Sequence, residues 1–124
     1  LTRHKRGAGR HRQGRRLFSV IRSTRDDKLP QEKPEPNAQQ AEEFITQAMQ
    51  AAKEGQRRKA IRLFARGLDY YETVMNHNGL PDETLTSVAQ RAITLQEIVG
   101  DHRVASSLRS ALDDYRRDDS ENVA

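Results

Sequence analysis

The chain repeats part of itself after 45 residues. Gly55, Arg58, Ala60, Leu63, Asp69 and Tyr70 return as Gly100, Arg103, Ala105, Leu108, Asp114 and Tyr115. A fixed period of this size, with a glycine leading into a small-residue helix, is the mark of stacked helical hairpins. Arrays of that kind present surfaces to partners more often than they hold catalytic centres. With strand signals absent, the expected fold class is all-α: two antiparallel helical hairpins preceded by an extended basic arm and a proline-containing linker.

The pattern divides the chain into residues 1–25 (arm), 26–37 (linker), 38–118 (four-helix repeat domain) and 119–124 (a polar, frayed end). Asn37 begins the first helix, with Gln40 three residues on in a capping-box arrangement. Apolar residues then recur at 41, 44, 45, 48, 49 and 52, the spacing of one helix face. Gly55 suits a left-handed helix end. The second helix turns Ala60, Ile61, Leu63, Phe64, Leu68, Tyr71 and Met75 inward, and Asn78-Gly79-Leu80-Pro81 breaks it. Asp82 opens a third helix carrying Leu85, Val88, Ala89, Ala92, Ile93, Leu95 and Val99. Gly100-Asp101 repeats the turn-and-cap device before a fourth helix with Val104, Ala105, Leu108, Ala111, Leu112 and Tyr115. Tyr70, which recurs as Tyr115, is expected to pack between the hairpins.

On these residues the first hairpin, 41–74, resembles a tetratricopeptide repeat. Phe44 stands where that family has a bulky residue, Ala48 where it has a small one, and Gly55 at its tight turn. Ala60, Phe64 and Gly67 follow its small, aromatic, small order in the second helix. Gln47 and Glu72 depart from the pattern, standing where the family prefers Leu and often has Pro. The second hairpin, 86–119, is a degenerate match that keeps Gly100 and Ala105, with Arg109 in place of the aromatic. The resemblance implies a scaffold for protein–protein interaction.

Charge is unevenly divided. Residues 1–25 hold nine Lys or Arg and no acid, whereas the whole chain is +4, so residues 26–124 sum to −5. A basic tail on an acidic body points to a polyanionic partner or to organelle targeting. Glycines at 7, 9 and 14 and mutual repulsion oppose ordering of the arm. Pro30, Pro34 and Pro36 keep the linker extended. Arg3, Lys5, Arg6, Arg10, Arg12, Arg15 and Arg16 form a flexible cation that can follow RNA phosphates by counterion release, without base readout. Such an arm is similar to those of ribosomal proteins. It is also similar to a mitochondrial presequence: Leu17, Val20 and Ile21 have the spacing that presequence receptors favour, and Arg16-Leu17-Phe18-Ser19 resembles a cleavage motif. The two readings partly agree, because an organellar protein can keep a basic extension after import, and a solvated charged tail without a partner is the third reading. The expected location is an organelle, mitochondrial ahead of plastid.

Arg58, Arg62 and Arg66, at i, i+4 and i+8, make a second basic ridge, either a phosphate-binding face or a solvated one. No catalytic constellation is legible, since His4, His11, His77 and His102 are scattered and no phosphate-cradling loop follows a strand. Without cysteine there is no thiolate metal site or disulfide. No apolar run approaches the roughly 20 residues needed to span a bilayer. No cofactor, metal or small-molecule substrate is expected. The expectation is a non-catalytic subunit of a large organellar assembly with protein partners and, through the arm, RNA. The mitochondrial ribosome comes first, and an accessory or assembly subunit of an organellar membrane complex, respiratory or photosynthetic, is the alternative.

Overall fold

A computed structural model describes residues 14–23 and 33–123, with the side chains of 118–123 left aside. Five helices make up the described residues, without strands: α1 (14–22), α2 (Ala38–Lys53), α3 (Arg57–Asn78), α4 (Asp82–Ile98) and α5 (His102–Val123). Helices α2 and α3 form one hairpin, α4 and α5 the other, and α2 touches α4.

The helix boundaries follow local chemistry. The side chain of Asn37 accepts a hydrogen bond from the Gln40 N–H at 2.9 Å, satisfying a donor at the start of α2. At its other end Gly55 takes φ 78°, its N–H bonds the Ala52 carbonyl, and the Gln56 N–H bonds that of Ala51. Gly100 (φ 90°) repeats the same pair of bonds onto Glu97 and Gln96. Both are Schellman ends, closing orphan carbonyls that a helix terminus leaves. Asp101 then accepts from the Val104 N–H at 3.3 Å to start α5. The 45-residue echo is therefore a repeated turn device.

The hairpins close through small residues. Ala41, Ala48 and Ala60 are fully buried with Ile45 along the α2–α3 seam. At Gly67 a Cβ would stand 2.7 Å from Ile45 Cγ1 and 3.1 Å from the Ala41 carbonyl oxygen, so glycine sets the closest approach of the two backbones. Leu85, Val88, Ala89, Ala105 and Leu108 fill the second hairpin and join the same core. The inward faces match the periodicity, except that Phe44, Met49, Ile61, Leu63, Val99, Val104 and Ala111 are only half-buried.

The end of the basic arm departs from expectation. Residues 14–22 are helical, and Leu17, Phe18 and Ile21 are at most 3% exposed within the main core. Spaced i, i+1, i+4, these three share one helix face while Arg15, Arg16 and Ser19 stay exposed. Burial of one face against the body overrides the repulsion that argues for an extended chain. Residues 14–22 of the arm are thus helical instead of extended. Residues 33–37 lack helix, in keeping with a linker. Residues 1–13 and 24–32 lie outside the described residues. At the far end, α5 continues to Val123 where an end at residue 118 was expected, because no glycine or proline interrupts it.

Candidate functional site

Helix α1 lies against the second half of α3 and the start of α4. Gly14 brings it to Leu85, where an added Cβ would meet Cδ2 at 3.4 Å. The Arg22 guanidinium pairs with the Glu72 carboxylate. Arg15 donates to the side-chain oxygen of Asn76 at 3.4 Å, a long bond. Charge thus faces the two ends of a short apolar helix, with Phe18 and Met75 between them. An open cleft of about 360 Å³ runs beside α1, and a second of about 680 Å³ continues past Arg15 to Leu80 and Pro81.

Of the expected RNA-binding cations, Arg15 and Arg16 stand exposed on α1, at the root of the arm. Arg3, Lys5, Arg6, Arg10 and Arg12 lie outside the described residues. On α3, Arg58 and Arg62 are exposed with Arg57 and Lys59 beside them. Arg66 is committed to packing: its guanidinium sits 5.2 Å from the centre of the Phe44 ring. That cation–π contact at an exposed site contributes about 0.5–1 kcal/mol.

Tyr70 stacks on Phe44, with ring centres 5.6 Å apart and planes 26° from parallel. It packs within the first hairpin, not between hairpins as expected, because its direction on α3 is towards α2. Tyr115 donates its hydroxyl proton to Asp82 at the start of α4. Phe64 is buried, whereas Phe44 is half-buried beneath Arg66.

Besides the shared core, a polar clamp that sequence reasoning missed links the hairpins. The Tyr71 hydroxyl donates to Glu42 Oε2 at 2.6 Å, and Arg91 grips the same carboxylate with both terminal nitrogens, one at 2.9 Å. Three helices meet there, α2, α3 and α4. The two-pronged hydrogen bonding from Arg91 holds the Glu42 carboxyl below its ordinary range against the opposing effect of burial, and Tyr71 adds to the lowering. Burial, then the hydrogen bond to Glu42, pushes the Tyr71 hydroxyl up to about 12. Such bidentate geometry fixes orientation as well as adding energy.

Among the described residues, no group of three or more His, Asp or Glu could hold a metal ion, and no helix is long and apolar enough to cross a membrane. Asp113 and Asp114 are exposed on α5. The described arrangement offers helix surfaces and the two open clefts beside α1, whose linings include Ser19, Ser23, Glu72 and His77. Compared with protein-family models, curated proteins and solved structures, the chain gives no match.

Proposed function

We propose that this chain is a non-catalytic structural subunit of a large organellar ribonucleoprotein, with a mitochondrial ribosome as its setting. The basic arm grips RNA and the helical hairpins dock on protein. The single observation that carries the reading is the docking of α1. A cut in Arg16-Leu17-Phe18-Ser19 would remove buried Leu17 and Phe18 from the core. This supports the arm as a working part of the folded protein over the arm as a removable targeting segment. Docking also gives the cations upstream a fixed root, so that a phosphate track beginning at the arm can be held at a defined place on the body. The buried small residues Ala48, Ala60 and Ala105, with Gly67 at the closest crossing, support the tetratricopeptide resemblance and its protein-docking role.

The test is RNA affinity as a function of salt. Binding through phosphates gives a log–log slope of about 0.7 to 0.9 per neutralised phosphate and little sequence preference. With about six cations engaged, raising salt from roughly 50 to 200 mM weakens binding by about 10³. Replacing Arg3, Lys5, Arg6, Arg10 and Arg12 by Gln should flatten the slope by several units and leave the helical signal intact. Equal RNA affinity for the substituted and native chains removes the arm from the mechanism. No RNA binding at all, with import of a reporter fused to residues 1–25, favours the membrane-complex alternative.

A further inference from the structure

We propose that the outward face of the first half of α3, carried by Arg57, Arg58, Lys59 and Arg62, is a second RNA contact, a rigid phosphate-binding ridge on the folded body. The inference rests on the RNA-binding half of the proposed function and assigns it a surface apart from the arm.

Three observations carry it. First, charge is concentrated there. Residues 53–66 hold six Lys or Arg and a single acid, Glu54, a formal +5. The Glu54 carboxylate accepts from the Gln50 side chain at 3.2 Å, one turn back along α2. Arg57, Arg58, Lys59 and Arg62 are all exposed, and among the described residues none of them makes an ion pair. Arg22, Arg91 and Arg109 are by contrast paired with Glu72, Glu42 and Glu97. Second, the fold does not use these cations. At about 100° per residue, Arg58, Lys59 and Arg62 lie opposite the face that buries Ala60, Phe64 and Leu68. The first turn of α3 holds no acid, Gln56 makes no side-chain cap, and the helix dipole disfavours cations near a helix start. Their placement costs the isolated chain stability, a cost that a bound polyanion removes. Third, the face lacks the apolar centre of a protein-docking surface. Ile61 and Leu63 beside it are half-buried, and no large apolar side chain is exposed between Arg57 and Arg66. Protein interfaces are depleted of charge at their core and draw on apolar and aromatic groups there. A cationic face without such a centre suits a phosphate backbone, where counterion release supplies the affinity. RNA is therefore favoured over an acidic protein segment.

Arm and ridge divide the work. Arg58 and Arg62 project from successive turns, about 6 Å apart along the axis. A ridge held by the helix loses less freedom on binding than a glycine-broken arm. The arm follows the strand, and the ridge sets where on the body that strand lies.

The experiment uses the full chain and a fluorescein-labelled 20-nucleotide uridine RNA, followed by anisotropy over a range of salt. Arg58→Gln with Arg62→Gln should flatten the log–log slope by about 1.4–1.8 units and weaken binding at least about tenfold at roughly 100 mM salt. Arg116→Gln with Arg117→Gln, exposed on α5, removes equal charge elsewhere and should change neither by more than about a third of that. A chain with Arg3, Lys5, Arg6, Arg10 and Arg12 replaced by Gln should keep a residual salt-dependent affinity, and adding the ridge pair should remove it. Equal slopes for the ridge and control pairs overturn the proposal. So does a melting temperature lowered by the ridge pair, which would show that the fold uses these cations. Tighter binding of a polyglutamate peptide of matched charge than of the RNA overturns it too, since the ridge would then belong to an acidic protein. A slope lost with the arm cations and indifferent to the ridge ends this inference alone; no RNA binding by the native chain ends the RNA reading with it.

Discussion

Replacing Gly67 by alanine sets two effects of known size against each other. Alanine within a helix is favoured over glycine by about 0.8–1.0 kcal/mol, so propensity alone stabilises the variant. The new Cβ, however, would stand 2.7 Å from Ile45 Cγ1, about 0.8 Å inside ordinary carbon–carbon contact. Ile45 is 0% exposed and cannot swing away. The second obstacle, the Ala41 carbonyl oxygen at 3.1 Å, is backbone and moves only if α2 moves. Overpacking of a filled core costs about 1–3 kcal/mol, and two immovable neighbours place this site in the upper part of that range. Net destabilisation of about 1–2 kcal/mol is expected in urea unfolding followed by circular dichroism. A double-mutant cycle isolates the cause. Ile45→Ala alone costs about 2–5 kcal/mol, but in its background Gly67→Ala should become neutral or stabilising, because the obstructing Cγ1 is gone. The two substitutions are in contact and should couple strongly. A Gly67→Ala chain as stable as the native one would refute the close crossing.

Ile21→Ala should destabilise the whole body by about 2–5 kcal/mol, since a fully buried side chain of α1 sits in the shared core; an unchanged melting temperature would show that α1 is not docked. Gly79, at φ 79° and ψ 166°, lies where side chains are strained although a Cβ there would meet nothing within 4 Å. Gly79→Ala should therefore cost about 1–3 kcal/mol from backbone strain alone, read by thermal melting. The Glu42–Tyr71–Arg91 clamp makes stability pH-dependent at both ends. Glu42 has a lowered folded-state value, so its contribution is present above the ordinary carboxylate range and lost as pH falls through that lowered value. Tyr71 is raised, so its contribution is present below about pH 10 and lost as pH rises towards about 12. Tyr71→Phe should make the alkaline fall in melting temperature shallower, and Glu42→Gln should do the same on the acid side; profiles parallel to the native one would show that the clamp is not formed in solution.

The four main helices were legible because their signals are local. Asn37, Gly55, Gly100 and Asp101 act on backbone groups within a few residues, and the inward faces repeat at helical spacing. Helix α1 is not legible in the sequence, although Leu17, Phe18 and Ile21 have a helical spacing. Its surroundings are dense in arginine and glycine, and three apolar residues form a helix only when a groove made by residues far along the chain receives them. The clamp was invisible for a related reason. Glu42, Tyr71 and Arg91 sit on separate helices, and each reads alone as an ordinary surface acid, core aromatic or surface base. Only the crossing of the hairpins brings them together. The recurrence of Tyr70 as Tyr115 gives a period and no direction, since the seam that a side chain enters depends on the neighbour that α3 happens to face.

The docking of α1 also imposes an order on synthesis. Its ion-pair partner Glu72 follows Arg22 by 50 residues, and Leu85 comes later still. On the ribosome, Leu17, Phe18 and Ile21 must therefore wait, uncovered, until α3 and the start of α4 have been made. An apolar patch left exposed during translation invites association with other nascent chains. The flanking arginines keep it apart from its own kind in that interval, in the manner of gatekeeper charges beside an aggregation-prone segment. The same cations that look outward in the finished protein thus guard the chain before its fold is complete.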